Sequence, residues 1–169
     1  MSGISRRHLL AILSGAVIPA PAFAGHAFAP AEHFFSVEFP TPPEEKSSGL
    51  LGLSSTTFLA KDGNKAFAVF HAAWPIQGKP ALMMQSMLDG LVERISGEFL
   101  SIDKTEFKSA SGSMLPAKRF TFSSDKVWGG GLTTVSGPHT FLVQVMKRKP
   151  LEGWDAADRK FMAFFKVLI

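Results

Sequence analysis

The chain of 169 residues has the length of one domain, is 46% hydrophobic and carries 18 basic against 14 acidic residues. It contains no cysteine, which excludes disulfides, thiolate metal sites and thiol nucleophiles. The stability of the fold must therefore come from an apolar core, which the 16 phenylalanines can supply.

The first 24 residues have the pattern of a signal peptide. Arg6 and Arg7 give a charged start, and a short apolar run follows from Leu9 to Ile18. Small residues precede Gly25, so we expect cleavage after Ala24. The apolar run is too short to span a bilayer, which argues against a permanent anchor.

The paired arginines favour one export route. The segment around Arg6 and Arg7 resembles a twin-arginine signal, although Leu9 and Ala11 stand where that signal usually has Phe and often Lys. General secretory export is the alternative. Either route predicts a periplasmic or secreted protein.

Removal of the signal leaves a nearly neutral protein. Loss of Arg6 and Arg7 gives 18 − 2 = 16 basic against 14 acidic residues, a net charge of +2. This balance gives little reason to expect a nucleic acid or an anionic membrane as partner, or stable membrane insertion after processing.

A central hairpin is predicted from Thr56 to Trp74. Asp62, Gly63 and Asn64 are residues that tolerate the positive φ of a tight turn. The second strand is apolar on both faces, which is typical of a strand inside a sheet covered on both sides.

The segments before this hairpin are predicted from their alternation. Gly25 to Glu32 is expected to be a loose leader, and Phe34 to Phe39 alternates as a strand with one buried face. Glu44 to Ser55 is polar and rich in glycine and serine, so we interpret it as an exposed loop.

The rest of the chain predicts two helices around an antiparallel meander. The long helix runs from about Pro80 to Phe99, and a closing helix begins after the N-cap Asp155, with an apolar stripe from Phe161 to Leu168. Between them, strands are predicted at Ser101–Lys108, Met114–Ser123, Val127–Val135 and Thr140–Met146. Residues 25–169 thus predict a single α+β domain, with an antiparallel sheet of about six to seven strands covered by helices.

Four short motifs carry a resemblance to the PsbP-like/Mog-like fold. They are Phe35-Ser-Val-Glu-Phe-Pro40, Thr56-Thr-Phe-Leu-Ala60, Lys118-Arg-Phe-Thr-Phe-Ser123 and the block from Phe161 to Leu168. The resemblance implies the same α+β fold. Known members, among them a photosystem II extrinsic subunit and a Ran-binding protein, act mainly as accessory or binding proteins, so it implies such a role by analogy.

Histidines are the candidate metal ligands. His26, His33 and His71 are weak candidates, because no His-x-x-x-His spacing is present. The favoured interpretation of His71 is a hydrogen-bonded core residue, while His139 follows a Gly-Pro turn and is expected to be solvated. Lys147 to Lys149 is expected to be a solvated basic loop.

One candidate pocket follows from a glycine run. Gly129, Gly130 and Gly131 lack the context of a phosphate-binding loop, and glycines within a strand more often mark a bulge or the close approach of another element. With Trp128 beside them they are candidates for the floor of a shallow pocket.

The sequence contains no recognisable catalytic constellation. We therefore expect an exported, non-enzymatic accessory or binding protein of the bacterial cell envelope, without a cofactor, whose partner is another protein or an envelope component. The alternatives are a domain that binds a small ligand or a metal and, less favoured, a hydrolase.

Overall fold

The computed structural model describes residues 25–50 and 53–169. The expected signal peptide, with Arg6, Arg7 and the cleavage position after Ala24, lies outside the described residues and stays a prediction.

The described chain is α+β, as predicted. The strands are β1 (His26–Phe28), β2 (Phe35–Phe39), β3 (Glu44–Leu50), β4 (Leu53–Asp62), β5 (Lys65–Ala73), β6 (Glu98–Lys108), β7 (Met114–Ser123), β8 (Val127–Ser136), β9 (His139–Arg148) and β10 (Lys166–Val167). The helices are α1 (Pro80–Ile95) and α2 (Ala156–Phe164), and a short 3-10 turn covers Ala31–His33.

Seven strands form the main antiparallel sheet, in the order β3-β4-β5-β9-β8-β7-β6. The predicted hairpin forms β4 and β5, with Asp62 opposite Lys65 and Gly63 at a φ of 58°. β5 lies between β4 and β9, which explains why it is apolar on both faces. The predicted meander forms β6 to β9.

The prediction of an exposed loop from Glu44 to Ser55 is wrong. Its first half is β3, which pairs with β4 from Glu44 opposite Leu59 to Leu50 opposite Leu53. Because β3 is an edge strand whose described side chains are exposed, it lacks the alternation that marks a half-buried strand.

The leader from Gly25 to Glu32 is also more ordered than predicted. β1 pairs with β2, placing His26 opposite Phe39, and β10 pairs with the other edge of β2. These strands form a second sheet, in the order β1-β2-β10. Strands of two or three residues are too short to give a periodic pattern, so only their pairing reveals them.

Each face of the main sheet has its own cover. On the first face, which we call the α1 face, Leu88 and Leu91 pack against Phe120, Phe122 and Leu142. The second face, the α2 face, is covered by α2 and the small sheet. Its core is the larger one and includes Phe35, Phe39, Phe58, Phe67, Phe141 and Phe161. Neither helix of the described chain has the length and apolarity needed to cross a membrane.

Both helices end earlier than predicted. Ser96 adopts a left-handed conformation with a φ of 49° and ends α1. Gly97 follows, and a Cβ at this position would lie 2.5 Å from the carbonyl oxygen of Ser123. β6 begins at the next residue and includes Phe99, which was predicted to end the helix. α2 starts after Asp155 as predicted but ends at Phe164, and Leu168 lies beyond β10.

Candidate functional site

A cleft of about 470 Å³ lies on the α2 face, between α2 and the strands at one edge of the main sheet. β6 contributes Ser101 and Asp103, and β7 contributes Arg119 and Thr121. The remaining lining side chains include Phe107, Leu132, Trp154, Arg159, Met162 and Ala163. The cleft thus combines apolar walls with three charged groups.

The glycine run divides between the two faces of the sheet. A Cβ on Gly129 would lie 2.4 Å from the Phe122 ring, on the α1 face. A Cβ on Gly130 would lie 2.7 Å from Cζ2 of Trp154, so the indole can pack against the α2 face at this position only because Gly130 has no side chain. Gly131 lines the cleft, whereas Trp128 is buried and meets Trp154 edge to face at 5.6 Å. Of the four residues predicted to form a pocket, Gly131 alone lines the cleft.

Two arginines and one aspartate define the charge of the cleft. Asp103 and Arg119 are direct cross-strand neighbours, but within the described chain neither side chain has an ion-pair partner. Arg159 lies on α2 and donates a 2.9 Å hydrogen bond to the carbonyl oxygen of Trp154. Both arginines and Asp103 are exposed, so their charged groups can meet a ligand.

An ionic cluster, called the buried ionic cluster because its inner members Lys147 and Asp158 are buried, fixes α2 to the sheet. Lys147 is 3% exposed and donates to the carbonyl oxygen of Gly153 at 2.7 Å, and it also pairs with Asp155 and Asp158. Lys65 pairs with the same two carboxylates. Asp155 is the N-cap of α2, and its backbone N–H donates to the side chain of Asp158. The two residues thus form a capping box. The prediction of a solvated loop is thus wrong for Lys147, because β9 continues to Arg148.

The cluster shifts two pKa values. Burial alone would lower the pKa of Lys65, but hydrogen bonds and charge attraction to Asp155 and Asp158 outweigh it and raise the pKa. Burial alone would raise the pKa of Asp155, and its hydrogen bonds from Lys65 and Lys147 lower it far below the usual range. Both groups are therefore held in their charged forms.

Three histidines form a hydrogen-bonded chain at the opposite end of the α2 face core. Nδ1 of His71 lies 2.9 Å from Nδ1 of His33, and Nε2 of His71 lies 3.0 Å from Nδ1 of His139. His71 is only 4% exposed, so the prediction of a hydrogen-bonded core histidine is confirmed. His139 is half-buried and does not fit the prediction of a solvated residue, because β9 begins at this position and turns the ring toward His71.

Burial governs the protonation of this chain. It is the largest cause that lowers the pKa of His71 to about 4, and the charges of His33 and His139 lower it further. Burial also lowers the pKa of His139. His71 is thus neutral near pH 7.

The histidine chain is linear and does not converge on one point. His71 directs its two nitrogens at different neighbours, while a metal ion needs several donors aimed at itself. No group of three or more potential metal ligands with suitable geometry occurs in the described ranges. Of the weak metal candidates, His33 and His71 are brought together, while His26 is exposed on β1.

Comparison of the chain with protein-family models finds no matching family, and comparison with curated proteins finds no match. The resemblance to the PsbP-like/Mog-like fold therefore stays a prediction, supported by the α+β architecture alone.

Sequence reasoning missed most of the cleft. Asp103, Arg119 and Arg159 look like solvated charges when each is considered within its own element, and no local pattern marks Trp154 as part of a pocket. The sequence feature that points to the cleft is the glycine run beside Trp128, because a strand of glycines leaves space for a large side chain such as that of Trp154.

Proposed function

We propose that the protein is an exported, non-enzymatic binding protein of the bacterial cell envelope, and that the cleft under α2 is its binding site. The N-terminal signal pattern supports export. The observation that carries the binding role is the cleft itself, whose volume of about 470 Å³ is in the range of small-ligand pockets.

The construction of the cleft supports this role. Its floor belongs to a seven-stranded sheet, and its helical wall is held by a buried ionic cluster with four cation–carboxylate contacts. Because these walls are already fixed, little conformational entropy is lost in ordering them when a ligand binds. Apolar side chains with a few polar groups between them are typical of pockets that bind organic ligands.

The binding role is tested by native mass spectrometry of protein recovered from its own periplasm. We expect a retained ligand in the wild type, and a small added mass would distinguish a small ligand from a protein partner. Ala163→Phe narrows the cleft and should lose the ligand, whereas Ala156→Phe, on the same helix but away from the cleft lining, should keep it. A ligand-free wild type, or equal retention by both variants, would contradict the proposal.

The export route is tested separately. Changing Arg6 and Arg7 together to Lys should abolish processing and periplasmic delivery if the twin-arginine route is used. Unimpaired delivery of this double variant would refute that route and favour general secretory export.

A further inference from the structure

We propose that the cleft binds a monoanionic amphipathic ligand, a carboxylate attached to an apolar body, and that Arg119 and Arg159 bind its carboxylate. This inference rests on the binding role proposed above and names the chemical class of the ligand. Three properties of the cleft carry it: its charge balance, the free donors of its arginines and the apolar character of its walls.

The charge balance favours an anion. Among the lining residues Arg119 and Arg159 are basic and Asp103 is acidic, so the formal charge is 2 − 1 = +1. One negative charge on the ligand neutralises this excess. A second negative charge would face Asp103 without a cation of its own, so a monoanion fits better than a dianion.

The arginines have donors to spare. A guanidinium carries five N–H donors in a planar fork that matches a carboxylate. Arg159 uses a terminal nitrogen for the carbonyl oxygen of Trp154, and in the described part of the chain Arg119 has no ion pair. Charge-assisted hydrogen bonds from such groups are roughly twice as strong as neutral ones.

The walls exclude a small inorganic anion as the best fit. Phe107, Leu132, Trp154 and Met162 line the same space, and a phosphate or sulfate ion would leave these side chains in contact with water. An alkyl or aromatic body covers these side chains, and removal of apolar surface from water favours binding. Both parts of the ligand thus have a matching surface.

The test compares ligands that differ in one group. Octanoate, 1-octanol and inorganic phosphate are titrated into the full mature protein, and binding is followed by two-dimensional NMR through the indole N–H signal of Trp154, assigned with Trp154→Phe. We expect octanoate to shift this signal at lower concentration than octanol, and phosphate to leave it unchanged.

Variants assign the anion contact. Arg119→Gln and Arg159→Gln should each weaken octanoate binding roughly tenfold or more, because a hydrogen bond to a charged group is lost. They should leave octanol binding unchanged. Arg148→Gln changes an exposed arginine outside the cleft lining and serves as the matched control. Asp103→Asn should tighten octanoate binding, since it removes a repelling charge.

The outcomes separate this inference from the binding role. Equal binding of octanol and octanoate would overturn the anionic class and still support the cleft as a binding site. Binding of phosphate alone would overturn the requirement for an apolar body. Absence of any shift with octanoate would overturn the inference, while the ligand mass retained by wild type and lost in Ala163→Phe would continue to support the binding role.

Discussion

The Nδ1 atoms of His33 and His71 lie 2.9 Å apart, and this contact joins the 3-10 turn at Ala31–His33 to the C-terminal part of β5. The second contact, from His71 to His139, extends the chain to the start of β9. Each contact needs one hydrogen between its two nitrogens. Three neutral imidazoles satisfy both contacts in either of two tautomeric arrangements.

The number of hydrogens on the ring nitrogens determines how many added protons the three histidines can accept before a contact breaks. Four ring nitrogens face the two contacts, and the outer nitrogens of His33 and His139 are left over. One added proton can occupy an outer nitrogen or His71 itself, and both contacts survive. A second added proton places two hydrogens in one contact, which breaks it. Acidification should therefore break one of the two contacts, either His33 to His71 or His71 to His139.

We predict that stability falls between pH 7.5 and pH 4. The pKa of His71 is about 4 in the folded protein against the usual histidine value of 6.5, so the unfolded chain binds this proton more tightly. The stabilisation is complete above pH 6.5 and is lost as the pH falls toward 4. The loss should be about 3 kcal/mol, because each pKa unit corresponds to about 1.4 kcal/mol.

Urea unfolding at a series of pH values measures this effect. His71→Gln removes the contribution of His71 and should reduce the pH dependence to the part that His139 contributes, whereas His26→Gln changes an exposed histidine and should keep the full dependence. An equally steep pH dependence in His71→Gln would contradict the assignment. The pKa of Asp155 is lowered in the fold, so its contribution is lost as the pH falls through the usual value of 3.8 and below, and it adds to the loss only at the acid end of this range.

The histidine chain also shows where sequence reasoning ends. β5 and β9 were predictable because both are apolar on both faces, and this also placed His71 in the core. Its partners lie 38 and 68 residues away in sequence, and they meet it only when β9 pairs with β5 and the N-terminal segment folds back. Pairing order is a property of the whole sheet, and local periodicity does not contain it.

The buried ionic cluster gives a stability prediction. Asp158 is fully buried, contacts Lys65 and Lys147, and accepts from the backbone N–H of Asp155. Asp158→Ala leaves a buried cation under-compensated and should lower the free energy of unfolding by about 3–5 kcal/mol. Glu152→Ala removes an exposed carboxylate 3.9 Å from Lys149 and should change it by less than about 1 kcal/mol. Denaturant unfolding at pH 7 compares the two, and similar losses would contradict a special role for the buried cluster.

Gly130 is predicted to resist substitution because of Trp154. In Gly130→Ala the new methyl group would lie 2.7 Å from the indole and 2.8 Å from the carbonyl oxygen of Phe120, so neighbouring groups must shift. We expect a loss of about 1–3 kcal/mol in unfolding free energy and a changed tryptophan emission spectrum.

Gly49→Ala is the matched control for this substitution. Among the described residues its methyl group would meet only the carbonyl oxygen of Leu53, at 3.7 Å, which is an ordinary contact distance. Alanine is favoured over glycine within a strand by roughly 0.5–1 kcal/mol, so stability should hold or rise. Equal stability of Gly130→Ala and Gly49→Ala would contradict the prediction that the close approach of Trp154 excludes a larger residue at position 130.

The polar side chain of Gln144 is predicted not to stabilise the core in which it is buried. It is 1% exposed on the α1 face, its Nε2 is 3.9 Å from the sulfur of Met146, and its Oε1 has no hydrogen-bond partner in the part of the chain that the structure describes. An unsatisfied buried acceptor costs about 1–3 kcal/mol. Gln144→Met keeps the length of the side chain and removes this cost, so the free energy of unfolding should stay equal or rise.

The control is Gln85→Met on α1. There the amide donates to Asp89 at 2.7 Å and accepts from Lys118 at 2.9 Å, so its removal should lower stability slightly. Thermal and urea unfolding of the two variants and the wild type compare them directly. A loss of more than about 1 kcal/mol in Gln144→Met would mean that Oε1 has a partner in solution, such as a buried water, because only a satisfied acceptor is costly to remove.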